Sequence, residues 1–142
     1  MLIEQAKNQR ERIVAILSAE KLPVADLPDI LENFLVAIEK GQLIGVIGLE
    51  IYGSYGLLRS LVVLPQHRGK GIAGKLIERL KSLAALRGLK ELYLLTETAP
   101  EYFVRQGFQK IARDDVPNEV KQSSEFSHVC PVSAIVMQKL IS

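Results

Sequence analysis

Residues Leu61 to Lys75 constrain this chain more than any other stretch. They open as an apolar run of strand type, Leu61-Val62-Val63-Leu64, and close as the start of an amphipathic helix. Between the two lies a loop with Gly69, Gly71 and Gly74 and the cations Arg68, Lys70 and Lys75. The unpaired N–H groups of a helix N-terminus carry partial positive charge, so acidic side chains normally gather there. Cations at that end cost stability unless an anion joins them. The stretch therefore reads as a phosphate cradle between a strand and a helix.

The totals limit what surrounds the cradle. A chain of 142 residues is a common size for one domain with one core. Hydrophobic residues at 48% and charged residues at 24% describe a folded globular protein. A net charge of +2 is too small to point to nucleic acid. Cys130 is the single cysteine, which excludes an intramolecular disulfide and a multi-cysteine metal site and suits a reducing compartment. There is no apolar run of signal-peptide or membrane-spanning type. The expectation is one cytoplasmic domain over residues 1–142, without metal, nucleic acid or membrane as partners.

Along the chain, Met1–Ala6 reads as a short strand. Asn8 is placed to cap a helix over Gln9–Ala19, with Ile13, Ile16 and Leu17 on one face. Leu22–Asp29, with Pro23 and Pro28, suits a loop with a short helix and a place in a pocket wall. Phe34–Glu39 and Leu43–Glu50 are strands joined at Lys40-Gly41, and Tyr52–Gly56 turns into a third strand, Leu57–Leu64. That strand is apolar on both faces apart from Arg59 and Ser60, as a central strand covered on both sides should be. The helix after the glycines runs to about Arg87 and stops at Gly88. Leu92–Thr96 follows as a strand parallel to the third. Then come a helix over Pro100–Gln106, a strand over Phe108–Ile111, a helix from Pro117 to about Phe126, and a strand over Ser133–Leu140.

Three ligands compete for the cradle. Gly69-x-Gly71-x-x-Gly74 matches a dinucleotide fingerprint, but Pro65–Arg68 separates the strand from the first glycine, and a meander precedes it. Gly69-x-x-x-x-Gly74-Lys75 is one residue short of a P-loop, because Leu76 stands where Ser or Thr would hold magnesium. The third pattern, Val63-x-Pro65-Gln66-x-x-Gly69-x-Gly71, resembles the signature of the GNAT acyltransferases, the GCN5-related N-acetyltransferase superfamily. A second landmark, Ala99-x-x-Tyr102-Phe103-x-x-x-Gly107-Phe108, lies at the family's distance, and the strand order matches over most of the chain. A narrower resemblance runs through Gly48–Gly53, Leu58–Leu61, Leu94–Thr98 and Glu125–Ala134. It is to the branch named for arsenic-resistance gene clusters, with some likeness to N-acetylglutamate synthase-type transferases.

The resemblance implies an α/β fold: a mixed, mostly antiparallel sheet, a V-shaped splay between two central parallel strands, and helices on both faces. It implies acetyl-CoA as co-substrate, its pyrophosphate held by Gln66, His67, Arg68, Gly69, Lys70, Gly71, Ile72, Ala73, Gly74 and Lys75. The backbone of Leu61, Val62 and Val63 would polarise the thioester carbonyl, with Val63 favoured. Phe103 occupies the position where the family places a tyrosine that protonates the leaving thiolate, and it is assigned to the coenzyme site. Tyr102 is the neighbouring hydroxyl, with packing as its other reading. The family's usual glutamate is replaced by Leu57, so Glu50 becomes the first candidate base and Glu97 the second.

Arg59 is a cation in an apolar central strand, placed by alternation on one face with Leu57, Leu61 and Val63. It either binds an acceptor carboxylate or pairs internally with Glu50 or Glu97, and both hold if substrate displaces the internal partner. Cys130 is either a buried thiol or a wall of the acceptor pocket. His67 either aids phosphate binding or faces solvent. The expected activity is direct acetyl transfer to the primary amine of a small, carboxylated, amino-acid-like acceptor, by a monomer or homodimer. The alternatives are an acyl-CoA-binding sensor of the same fold and a protein or peptide N-acetyltransferase.

Overall fold

A computed structural model describes residues 1–123, 126 and 134–141. The strands are β1 (Leu2–Gln5), β2 (Phe34–Glu39), β3 (Gln42–Tyr52), β4 (Tyr55–Val63), β5 (Glu91–Thr96), β6 (Gln109–Ile111) and β7 (Ile135–Leu140). The helices are α1 (Arg10–Ala19), α2 (Ile72–Leu86), α3 (Pro100–Arg105) and α4 (Asn118–Lys121). The strands form one sheet in the order β1-β2-β3-β4-β5-β7-β6.

Local chemistry sets most boundaries. Lys40 and Gly41 join β2 to β3 with φ of 51° and 78°, the two left-handed residues of a type I′ hairpin. Gly88 and Gly107 end α2 and α3 in the same way. Each takes positive φ, and the residue after it donates back into the helix, Leu89 to the Ala84 carbonyl at 3.0 Å and Phe108 to the Phe103 carbonyl at 2.9 Å. This capping uses Phe108, so β6 starts at Gln109, one residue later than expected.

Three expectations need correction. Asn8 does not cap α1: the cap residue is Gln9, with no side-chain cap bond, and its N–H donates to the Ala6 carbonyl at 2.9 Å to close a tight turn. Leu22–Asp29 forms no helix; it carries one turn, Leu27 N–H to the Val24 carbonyl at 3.2 Å. Its two prolines hold the residues before them out of helical geometry. Pro117 is the cap of α4 rather than its first residue, and α4 ends at Lys121. Beyond it the Ser123 hydroxyl accepts the Phe126 N–H at 3.2 Å. Finally, the turn Arg113–Asp115 was not foreseen.

The sheet belongs to two compact units. The first comprises Met1–Leu49 and Ser60–Leu83. Here Ile13, Ile16 and Leu17 of α1 pack with Phe34, Val36, Leu43, Val46 and Val62. Side chains alternate along a strand, so Gly45 points to the face opposite Val46. A Cβ on Gly45 would meet Leu76 of α2 at 3.2 Å. Helices therefore cover both faces of this part of the sheet. Gly48 allows a still closer approach, since a Cβ there would lie 2.5 Å from the ring of Phe34.

The second unit comprises Glu50–Arg59 and the chain from Ala84 on. Leu57, Tyr93, Val116, Val120, Phe126 and Val136 form its core. In this unit β4 and β5 pair in parallel over Tyr55–Leu57 and Glu91–Tyr93. Leu94, Leu95 and Thr96 continue in register with β7. The two strands are parallel, as expected. Tyr93 is 1% exposed; its hydroxyl donates to Glu91 at 2.7 Å and accepts from Gln138 at 3.0 Å. Burial, and then the Glu91 carboxylate, push its pKa up to about 12.

Two outcomes test this packing. Gly48→Ala drives a methyl group into a ring with no room to move and should cost about 1–3 kcal/mol of stability in a denaturant titration. The Tyr93 hydroxyl is neutral in the fold, and its pKa is raised from 10.0 to about 12. Its contribution to stability is whole below pH 10 and is lost as pH rises towards 12. Denaturation across that window should show a fall that is shallower in Tyr93→Phe, with one tyrosine the last to ionise by ultraviolet absorption.

Candidate active site

The donor half of the site lies in the first unit, where β4 runs out into the glycine loop. Its last residues are anchored by backbone: the Leu64 N–H donates to the Ile44 carbonyl at 2.8 Å. Pro65–His67 make one tight turn, Arg68 is extended, and α2 begins at Ile72. Gly69 and Gly71 hold φ of 79° and 78°, a conformation that favours glycine. A Cβ at either would meet nothing within 4 Å, so the backbone is open on that side. Among the described residues, α2 has no acidic side chain in its first turn to neutralise its N–H groups. Gln66, Lys70 and Lys75 are exposed. An open, glycine-shaped backbone with a bare helix N-terminus and two exposed ammonium groups fits a diphosphate. Ala73 and Gly74 lie within α2, and Ile72 is buried.

Two loop side chains are used differently from the expectation. Arg68 donates through Nε to the Val63 carbonyl at 2.9 Å, and its Nη2 pairs with Glu20 at the end of α1. It finds its anion within the protein and closes the carbonyl edge of the strand end. His67 is largely buried rather than solvent-facing, with Nδ1 3.6 Å from Glu39 Oε2, too long for a hydrogen bond. Leu61 is half-buried and Val62 and Val63 are buried.

The acceptor half lies in the second unit. Glu50 and Tyr52 are two residues apart on β3 and share a face. The Tyr52 hydroxyl donates to Glu50 Oε1 at 2.7 Å, and Arg59 Nη1 reaches Glu50 Oε2 at 3.2 Å. The side chain of Arg59 is 1% exposed and that of Glu50 is 13% exposed. Of the partners expected for Arg59, the structure therefore shows Glu50. Glu97 is exposed after β5. Cys130 lies outside the described residues.

The alternation assigned to Arg59 also needs correction. Ser60 has φ of 60°, a left-handed residue within a strand. The pleat is interrupted there. Arg59 shares its face with Leu57, but the pattern does not carry through Ser60 to Leu61 and Val63. Nothing in the composition of this strand signalled the break. Tyr52 was missed as well, although its parity with Glu50 was a signal that could have found it.

Tyr102 and Phe103 are neighbours on α3, with rings edge to face at 5.4 Å. Phe103 is buried and also meets Phe108 edge-on at 5.8 Å. Tyr102 is half-buried, and burial raises its pKa against the opposing pull of Arg105. A groove of about 550 Å³ in the first unit, beside α1 and the β2–β3 turn, shares no residue with either half of the site.

Comparison with known proteins follows this geometry. Residues 31–110 match the acetyltransferase (GNAT) domain family. An uncharacterised N-acetyltransferase of Chlorobaculum tepidum is 31% identical over 101 residues, which are 70% of this chain and 64% of that protein. An amino-acid acetyltransferase of Ralstonia nicotianae is 28% identical over 110 residues, 76% of this chain and 24% of that protein. The chain thus spans less than two thirds of the first relative and about a quarter of the second. Among solved structures, N-acetylglutamate synthase of Neisseria gonorrhoeae, complexed with coenzyme A and N-acetyl-glutamate, superposes with a TM-score of 0.84. It is 20% identical, and the match covers 99% of this chain and 35% of that one. Among the described residues, no helix is long and apolar enough to cross a membrane. With strand order and glycine loop agreeing with a family match over residues 31–110, the chain belongs to the GNAT acetyltransferase family.

Proposed function

We propose that this GNAT acetyltransferase moves an acetyl group from acetyl-CoA to the primary amine of a small carboxylated acceptor, an amino acid or a compound like one. The observation that carries the reading is Arg59: a guanidinium 1% exposed, on a central strand, whose partner Glu50 is the more accessible of the two. A planar fork in that position suits a carboxylate. Relatives named amino-acid acetyltransferases and the likeness in fold to N-acetylglutamate synthase support the same acceptor class.

Acetyl-CoA supplies an activated acetyl thioester. Gln66, Gly69, Lys70, Gly71 and Lys75, with the first N–H groups of α2, hold its diphosphate, and Arg68 and His67 shape the loop from within. The backbone of Leu61–Val63 polarises the thioester carbonyl. Glu50 takes a proton from the acceptor ammonium, leaving a neutral amine. The amine forms the C–N bond as the C–S bond breaks with its electron pair on sulfur, and the amine's second proton ends on the thiol. Tyr102 or water delivers that proton, since Phe103 has no hydroxyl. Glu97 completes the acceptor side. The domain spans residues 1–142 and acts in the cytoplasm as a monomer or homodimer. The likeness to the arsenic-resistance branch belongs to this proposal and does not itself name the acceptor. One observation favours a second reading: both oxygens of Glu50 are engaged, as in a domain that senses acyl-CoA without turnover.

Thiol release from acetyl-CoA, measured across the twenty amino acids, simple amines and short peptides, separates these readings. Amino acids should be the best acceptors; binding of acetyl-CoA with no turnover of any amine would favour the sensor. Arg59→Ala should lower kcat/KM for the amino acid by about 10–100-fold, the loss of one charge-assisted contact, and unchanged acceptor affinity would refute the carboxylate site. Gly71→Val forces a branched side chain into a left-handed conformation. It should raise the KM for acetyl-CoA by about 10-fold or more and leave acceptor KM near its original value.

A further inference from the structure

The groove beside α1 belongs to neither half of the acetyl-transfer site. It holds about 550 Å³ and lies within the first unit. One wall is a single stripe of α1, where Arg12, Ala15, Ile16 and Ala19 recur at helical spacing. The stripe runs about 10 Å along the helix axis. Ala15 and Ala19 project little from the backbone, so this wall is low and the apolar floor is open. Leu43 of β3 and Leu64 after β4 face it across the groove. Leu64 is fixed by its N–H bond to the Ile44 carbonyl at 2.8 Å, so that part of the groove is set before any ligand arrives.

The charges of the groove are of one sign. Arg12 and Lys40 line it and no acidic residue does. The carboxylates next to its lining in sequence are Glu11, Glu20 and Glu39; Glu20 pairs with Arg68, and Glu39 lies beside His67. Neither Arg12 nor Lys40 has a hydrogen bond or ion pair with a described residue. Lys40 is also the costlier residue for its place. Its φ of 51° is that of the first central position of a type I′ turn, which Asn, Asp or Gly fits better. The turn does not call for a lysine there; the groove gains a cation from it.

We propose that this groove is a second binding site, for an organic carboxylate with an apolar alkyl or aryl body. The body covers Ile16, Leu43 and Leu64, and the carboxylate meets the cations Arg12 and Lys40. Apolar contact alone would take a neutral molecule as readily. The two cations select the anion, and the lack of any lining carboxylate leaves nothing to hold an ammonium group. The site therefore favours a carboxylate without an amine, which distinguishes its ligand from the zwitterionic acceptor proposed above.

Octanoate, octanol and octylamine are the probes, titrated into the whole chain with coenzyme A at saturation and followed by magnetic resonance of the backbone amides. Octanoate should bind about 5-fold or more tightly than either of the others at low salt, and its lead should shrink as salt rises. The shifted amides should centre on Ala15, Ala19, Gly41 and Leu43. Arg12→Gln and Lys40→Asn should each weaken octanoate about 3-fold and leave octanol unchanged. Lys40→Asn suits the turn, so its effect is not one of misfolding. Ala15→Leu raises the low wall and should weaken octanoate and octanol alike. Equal binding of the three probes, shifts centred on the glycine loop or on Glu50–Arg59, or no octanoate binding at millimolar concentration overturns the proposal. None of these readouts is acetyl transfer, so the outcome is independent of which amine the enzyme acetylates.

Discussion

A guanidinium that is almost sealed from water on a central strand must be matched by an anion, and much of the second unit answers that need. Arg59 cannot shed its charge at any physiological pH, so the partner has to come from the protein or from a ligand. Glu50 supplies it at 3.2 Å. Carboxylate and guanidinium are not buried to the same depth: Glu50 keeps 13% of its side chain exposed and Arg59 1%. A pair built for stability alone has little reason to leave one member accessible. Tyr52 adds a second contact to the same carboxylate, which fixes its orientation from within β3.

The donor loop solves the opposite problem. It gathers positive charge where the helix N-terminus is already positive, and the structure divides those charges between two uses. Arg68 turns inward to Glu20 and the Val63 carbonyl, which fastens the end of β4. Lys70 and Lys75 stay exposed, with Gly69 and Gly71 leaving the backbone open beside them. The Arg68 bond to the Val63 carbonyl ties the loop to the strand end, and the solvated ammonium groups remain for a polyanion. The rigid part of a phosphate site is set by contacts made before any phosphate arrives.

Local signals in the chain told of local structure. The Lys40-Gly41 hairpin, the stops at Gly88 and Gly107, and the strand-loop-helix at Leu61–Lys75 depend on residues close in sequence, and all were legible. So was the need of Arg59 for a partner, because a lone cation in an apolar strand is a physical conflict wherever it occurs. The partner of Arg68, by contrast, is 48 residues away. The left-handed Ser60 carries no glycine to announce it; the surrounding sheet imposes it on a residue that tolerates the conformation poorly. Asn8 failed as a cap because a turn at Ala6–Gln9 moved the helix start by one residue, a shift within the usual blur of helix ends. Charge and backbone demands were readable, but which distant group met them was not.

On the proposed function, the magnitudes give a reason for the Arg59 site to prefer carboxylated amines. An exposed ion pair contributes about 0–1 kcal/mol, so exchanging its partners selects for nothing. Removing one member of a buried pair costs about 3–5 kcal/mol, while replacing it with another anion of like geometry costs little. For Arg59, an amino acid brings the replacement with it and a simple amine does not. Differential stabilisation of this kind needs the guanidinium dry and the carboxylate reachable, which is the asymmetry observed between Arg59 and Glu50.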